Sequence, residues 1–237
     1  MKLITSPQIM RLDRFVSHSA PLSRSQVKRL LHADQIDIDG VIERDPGVMV
    51  SEDNKVSLQG KILCWPRPHY VMLNKPAGYI CSTEDAGYPV VSSLIEQPWG
   101  AALHSAGRLD VDTTGLVLLT SDGDWSHALT SPRRSCLKTY LVGLKHPLSV
   151  DITQRFAEGL MLNGENKLTL PAQLVVLGTH TARVSVQEGR YHQVKRMFAA
   201  CSNRVLTLHR ESIGNITLDP ELLPGAWREL TPTEVEN

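Results

Sequence analysis

The chain has 237 residues, 41% of them hydrophobic and 21% charged, with 25 basic residues balanced by 25 acidic ones. That is too apolar for a disordered chain, and the length suits one large core with a small appendage. The apolar runs, such as Leu116–Leu119 and Leu174–Leu177, reach no more than five residues, against about 20 for a membrane-spanning helix. The N-terminus has no apolar core of signal-peptide length, and the four cysteines are scattered without a C-x-x-C pair. These features predict a cytoplasmic protein with no membrane association, disulfide framework or zinc site.

Residues 10–60 read as a small α/β domain. Leu12, Phe15 and Val16 mark one apolar helical stripe. Ser23 is the predicted N-cap of a second helix, SRSQVKRLLHAD, whose Val27, Leu30 and Leu31 face inward while Arg24 and Lys28, with Arg29 beside them, lie on another face. QIDIDGVI alternates around the hairpin turn Asp39-Gly40, and KVSLQG adds a strand. Pro66 and Pro68 disfavour pairing, so residues 61–69 read as a linker.

Residues 70–237 form the second domain. YVMLNKPAGYICST reads as two strand pieces bent at Lys75-Pro76-Ala77-Gly78, SSLIEQ as a short helix, GLVLLT as a strand and GDWSHALTS as a helix. KTYLVGL is a strand, VDITQRFAEGL a helix, AQLVVLG and ARVSVQ a strand pair, YHQVKRMFAAC a helix and RVLTLHRESI a strand. The irregular alternation lacks the βαβ rhythm of a doubly wound sheet. It predicts an α+β fold with a mostly antiparallel mixed sheet and flanking helices.

The zero net charge hides segregation. Arg11, Arg14, Arg24, Lys28 and Arg29 face only Asp13 between residues 10 and 33, and Arg183, Arg190, Lys195, Arg196, Arg204 and Arg210 face only Glu188 between residues 183 and 210. Such patches give a local positive field suited to nucleic acid, although solvated helix faces are the commoner use of a charge run. In YHQVKRMFAAC, Val194, Met197, Phe198 and Cys201 fall on a core face. His192, Lys195 and Arg196 fall on another, which suits phosphate contact or carboxylate pairing.

In GRLDVDTTGLVLLT a polar cluster runs into a buried strand. Asp110-x-Asp112-x-Thr114 matches the D-x-D-x-T of Mg²⁺-dependent aspartyl phosphatases. There the acids follow the strand; here they precede it, which counts against that chemistry. The bland reading is a polar turn. Tyr140 on a strand is ordinarily packing. The histidines have no metal-site spacing, and no P-loop or G-x-G-x-x-G is present, so no metal or nucleotide cofactor is expected.

GRLDVDTTGLVLLT, KTYLV and EGRYHQVKRMF, in that order, resemble the motif set of the RsuA-type pseudouridine synthases, with further matches in MLNKPAGYICST and LTSPRRSCLKTY. The segment MRLDRFVSHSAPLSRSQVKRLLHADQIDIDG is similar to the small RNA-binding module of ribosomal protein S-four. The resemblance implies the pseudouridine synthase fold and cofactor-free isomerisation of a flipped uridine in ribosomal RNA. The small-subunit (16S) enzymes are the nearest match, since the acidic C-terminal stub contrasts with the long basic tail of some large-subunit relatives. It implies Asp110 as the catalytic aspartate, Arg108 as the residue that fills the space left by the uridine, Tyr140 as the ring stacked on the flipped base, and Lys195 as the basic partner that keeps Asp110 charged. Asp112 is left as a turn or supporting residue. Arg11, Arg24, Lys28 and Arg29, with Arg190, His192 and Arg196, are the expected RNA contacts. The expected partner is small-subunit ribosomal RNA or an assembling small-subunit particle, met by a monomer. The alternatives are action on large-subunit RNA, or a non-catalytic RNA-binding assembly factor.

Overall fold

The computed structural model describes residues 9–20, 22–82, 87–97, 99–131 and 136–236. Residues 132–135 of the LTSPRRSCLKTY match and Thr83 of MLNKPAGYICST lie outside the described residues. The chain divides into two compact units at Pro68/His69.

In the first unit, β1 (Ile9–Arg11) pairs antiparallel with β4 (Met49–Ser51). A second small sheet takes the order β3-β2-β5-β6, from β2 (Ile36–Ile38), β3 (Val41–Ile42), β5 (Val56–Leu58) and β6 (Lys61–Ile62). Helices α1 (Leu12–Ser19) and α2 (Arg24–His32) bury Leu12, Phe15, Val16, Val27 and Leu31 completely. Ser23 closes a capping box on α2: its hydroxyl accepts from the Gln26 amide at 3.3 Å and its amide donates to Gln26 Oε1 at 2.8 Å. Asp39 and Gly40, with φ of 54° and 84°, make the β2–β3 turn with two left-handed residues, as a type I′ hairpin requires.

The expected linker is shorter than residues 61–69. Lys61 pairs with Leu58 in β6, and Trp65 packs its ring on Phe15 with centroids 4.7 Å apart, so both belong to the first unit. His69 belongs to the second. Its amide donates to Ser121 Oγ at 3.0 Å, and its ring stacks on Trp99 at 3.9 Å.

The second unit is built on a nine-stranded sheet, counted among the described residues. Its strands are β7 (Tyr70–Lys75), β8 (His104–Ser105), β9 (Thr114–Thr120), β10 (Lys138–Leu144), β11 (Gln173–Gly178), β12 (Thr181–Val186), β13 (Val205–Ile213), β14 (Ile216–Thr217) and β15 (Trp227–Glu229). The main path runs β11-β12-β10-β13-β9-β7-β15, with β8 on β9 and β14 on β13. Among the described strand pairs only β9–β13 is parallel. One face carries Val71, Leu73, Val117 and Val142, covered by α4 (Ile152–Glu158) and α5 (Gln193–Ala200). The other carries Met72, Leu116 and Leu118, packed against Trp125 and Leu129 of α3 (Gly123–Thr130) and Val235 of α6 (Pro232–Glu236).

Two expectations change. After β7 the second strand piece is reduced to an isolated bridge from Ile80 to Val90, because Pro76 has no N–H and Gly78 turns the chain with φ 88°. SSLIEQ supplies only part of a 3-10 turn, Val91–Leu94.

Candidate active site

The loop between β8 and β9 carries Arg108, Asp110 and Asp112, and the parallel seam in the sheet sets where it stops. Gly115 lies opposite Arg210 with φ +100°, and a Cβ there would fall 2.4 Å from the Arg210 carbonyl oxygen. Only glycine lets β9 begin so close to β13. The Asp110 carbonyl then accepts from the Thr113 amide at 3.1 Å, closing a turn that lifts both acids to the rim.

Two buried cations hold this loop from beneath. Lys75 is fully buried, and its Nζ donates to the carbonyls of Thr113 at 2.7 Å, Pro76 at 3.1 Å and Val111 at 3.3 Å. Burial pushes the Lys75 ammonium below the usual lysine range, with Cys81 and the two loop acids acting against the shift. Arg210 is 2% exposed and donates through Nε to the Leu116 carbonyl at 2.8 Å and through Nη1 to that of Arg108 at 3.3 Å. The buried Cys81 Sγ accepts from the Leu109 amide at 3.4 Å. Each of these groups grips backbone, so this support from beneath does not rely on the side chains the loop displays.

Helix α5, packed on the same face of the sheet as Leu109, brings Lys195 to the loop. Lys195 Nζ lies 2.8 Å from Asp110 Oδ2 and 2.6 Å from Asp112 Oδ1, so one ammonium serves two carboxylates. Burial alone would lower the Lys195 ammonium, but hydrogen bonds and charge from both acids raise it overall. The Lys195 hydrogen bond holds the Asp112 carboxyl below its ordinary range. His192 Nε2 stands 3.5 Å from Asp110 Oδ1. The phosphatase reading needs Mg²⁺ between Asp110 and Asp112, and the ammonium occupies that place. Among the described residues no group of three or more His, Cys, Asp or Glu could hold a metal ion.

Residues 69–200 match the family model described as RNA pseudouridylate synthase. The chain is 52% identical to ribosomal small subunit pseudouridine synthase A of Yersinia pestis over 95% of this chain and 97% of that one. The chain belongs to the RNA pseudouridylate synthase family. The protein of the same name from Escherichia coli K12 is 48% identical over 95% of this chain and 98% of that protein. A crystal structure of a pseudouridylate synthase superposes with a TM-score of 0.70 at 44% identity, covering 96% of this chain and 98% of that one.

Within this pseudouridine synthase fold, Asp110 and Lys195 come together as an ion pair, and His192 joins them. Asp112, expected as a turn or supporting residue, shares the ammonium. Tyr140 is 8% exposed and packs in the cluster that holds Leu109 and Val194, the chain neighbours of Asp110 and Lys195. Among the described residues no hydrogen bond joins its hydroxyl to either. Arg108 is exposed, and no salt bridge holds its guanidinium among the described residues.

The expected RNA contacts divide in two. Arg24, Lys28 and Arg29 are exposed without salt bridges among the described residues, whereas Arg11 pairs with Asp13 at 3.1 Å. Arg190 and Arg196 differ from the expectation. Both bind Glu165, and Arg190 also takes Glu188 at 3.0 Å and the carbonyls of Lys167 and Leu168. Their donors are engaged by these acids and carbonyls, which ties residues 163–168 to the start of α5.

A cavity of about 580 Å³ lies on the opposite face of the sheet, lined by Asn74, Thr139, Arg183, His209 and Glu211 among others. These side chains alternate with Tyr140 and Arg210, so the cavity is separate from the acid site.

Proposed function

We propose that this chain isomerises one uridine of small-subunit (16S) ribosomal RNA to pseudouridine, with Asp110 as the catalytic carboxylate. The observation that carries the assignment is the 2.8 Å contact between Lys195 and Asp110 on the loop of the GRLD motif. The names of the relatives above support the small-subunit substrate.

The chemistry sets the roles. A stacked uridine is inaccessible, so it is extruded at a cost of a few kcal/mol. The exposed guanidinium of Arg108 fills the gap and stacks on neighbouring bases. Whether the bond to the uracil is loosened by attack on the base or at the sugar, the acting group must be a carboxylate, and the Lys195 ammonium stands 2.8 Å from it as a countercharge. The Tyr140 ring holds the detached uracil beside the ribose, making recombination effectively intramolecular. Isomerisation adds and removes no atoms overall, so it needs no oxidant or phosphate donor.

Residues 10–60 act as the RNA grip. Arg24, Lys28 and Arg29 contact phosphates without reading sequence, and Arg11 adds its charge where Asp13 leaves it free. Residues 70–237 are the catalytic domain. The protein works as a cytoplasmic monomer on ribosomal RNA or the assembling small subunit. In the described residues no helix is long and apolar enough to cross a membrane.

The test is release of tritium from uridine C5 in small-subunit and large-subunit transcripts. Release from the small-subunit RNA alone is expected. Release from large-subunit RNA alone would move the substrate, and release from neither, with binding intact, would favour a non-catalytic assembly factor.

A further inference from the structure

Beside the acid pair stands an aromatic group that no step above uses. Tyr191 is 75% exposed, a high value for a tyrosine rooted in a structured segment. One face of its ring lies on the His192 imidazole, with centroids 3.7 Å apart and planes 20° from parallel. The same imidazole directs Nε2 to Asp110 at 3.5 Å. Tyrosine ring, imidazole and carboxylate therefore form a continuous ladder from open solvent to the acid.

The ladder is held rigidly. His192 adopts a left-handed backbone with φ 49°, an unfavourable choice for a residue with a Cβ, directly before α5. The surroundings enforce it. Arg196 donates to the Tyr191 carbonyl at 3.2 Å, and the Gln193 side chain accepts from the Arg190 amide at 3.0 Å and donates to Glu188 at 2.8 Å. Arg190 and Arg196 are then locked on Glu165. The basic segment thus spends its charges on fixing an aromatic pair, whose outer face is left to solvent.

We propose that the exposed face of Tyr191 is a stacking platform for a nucleobase flanking the target uridine, making Tyr191 a substrate-positioning residue and His192 its support. This rests on the pseudouridine synthase reading. A flat ring braced on His192 beside the acid matches the π-face of a base, and such stacking is tolerant of base identity. Bases in a stacked strand repeat at about 3.4 Å. A base on Tyr191 would extend the Tyr191–His192 stack by one step.

The experiment compares Tyr191→Ala and Tyr191→Phe in C5-tritium release from a small-subunit transcript, with direct RNA binding measured alongside. Loss of one stacked base predicts a rise of roughly 5- to 100-fold in half-saturating RNA for the alanine variant, with a smaller change in the rate at saturation. The phenylalanine variant keeps the ring and should stay within about twofold of the parent in both. A second readout uses the transcript with 2-aminopurine beside the modified uridine. Its fluorescence should fall on binding the parent and the phenylalanine variant, and fall less with the alanine variant. Half-saturation and quenching in Tyr191→Ala equal to the parent's would overturn the platform while leaving the enzymatic reading intact. A parent that releases no tritium from any transcript would instead overturn that reading.

Discussion

Two lysines hold the loop that carries Asp110, and they do so from opposite sides of the solvent boundary. Lys195, with a side chain 24% exposed, offers its ammonium to two carboxylates at the rim. Lys75, fully buried, offers the same group to three backbone carbonyls beneath. The first can stabilise a charge on the acids and so bears on chemistry. The second donates to backbone carbonyls and fixes the path of the chain, its charge reaching the two acids only through space. One residue type divides into two jobs according to what its three N–H bonds meet.

The sharpest way to break this contrast is Lys195→Met. We expect the maximal rate of tritium release to fall by roughly 10²- to 10⁴-fold, in the range of lost electrostatic support at a reacting centre. Thermal stability should barely move, since partly exposed ion pairs contribute about 1 kcal/mol or less. Turnover close to the parent's would show that another cation serves Asp110.

Lys75→Met should invert the pattern, with stability moving first. The loss should be about 2 kcal/mol in chemical denaturation, because the Pro76, Val111 and Thr113 carbonyls lose their donor in the interior. The relief of a buried charge offsets part of the full penalty. An unchanged midpoint would show that the carbonyls find other partners.

Asp112→Asn separates the two acids that share Lys195. The ammonium keeps its 2.8 Å contact with Asp110, so the rate should drop by less than about tenfold, roughly 1.4 kcal/mol. A loss as deep as that of Lys195→Met would make Asp112 an equal partner in the chemistry.

The smallest effect concerns a third shared cation, remote from the acid loop. Arg228 bridges Asp219 at 2.9 Å and Glu234 at 2.8 Å, and its hydrogen bonds pull the Glu234 carboxyl down to about 2. A carboxyl lowered by folding contributes stability that is complete above its ordinary value near 4.5 and is lost as pH falls toward 2. Denaturation between those limits should show a loss of about 1 kcal/mol, discounted for partial exposure, that Glu234→Gln removes. A variant with the parent's pH slope would place that linkage elsewhere.

Much of this architecture could be read before any coordinates. Helical spacing placed Val194 and Met197 inward and Lys195 on a different face, and the Ser23 cap and the Asp39-Gly40 turn followed from local chemistry. The meeting of Lys195 with Asp110 spans 85 residues, and no local pattern contains it; the family resemblance supplied that pair. For the buried supports Lys75 and Arg210, strand alternation alone holds the signal. Lys75 is in phase with Val71 and Leu73, and Arg210 with Leu208, so both cations had to point with apolar residues. Sequence leaves the face of Arg190 and Arg196 open between phosphate contact and carboxylate pairing, because the acid that both bind, Glu165, lies 25 residues before Arg190. Charge counted along a chain misses partners brought in by folding.

The most direct measurement is single-turnover release of C5 tritium from a small-subunit RNA transcript, with Asp110→Asn run beside the parent and binding followed on the same samples. We expect the parent to release tritium to completion, and the asparagine variant to bind the RNA comparably but release none above background. Release by the variant at a rate near the parent's would contradict Asp110 as the catalytic carboxylate.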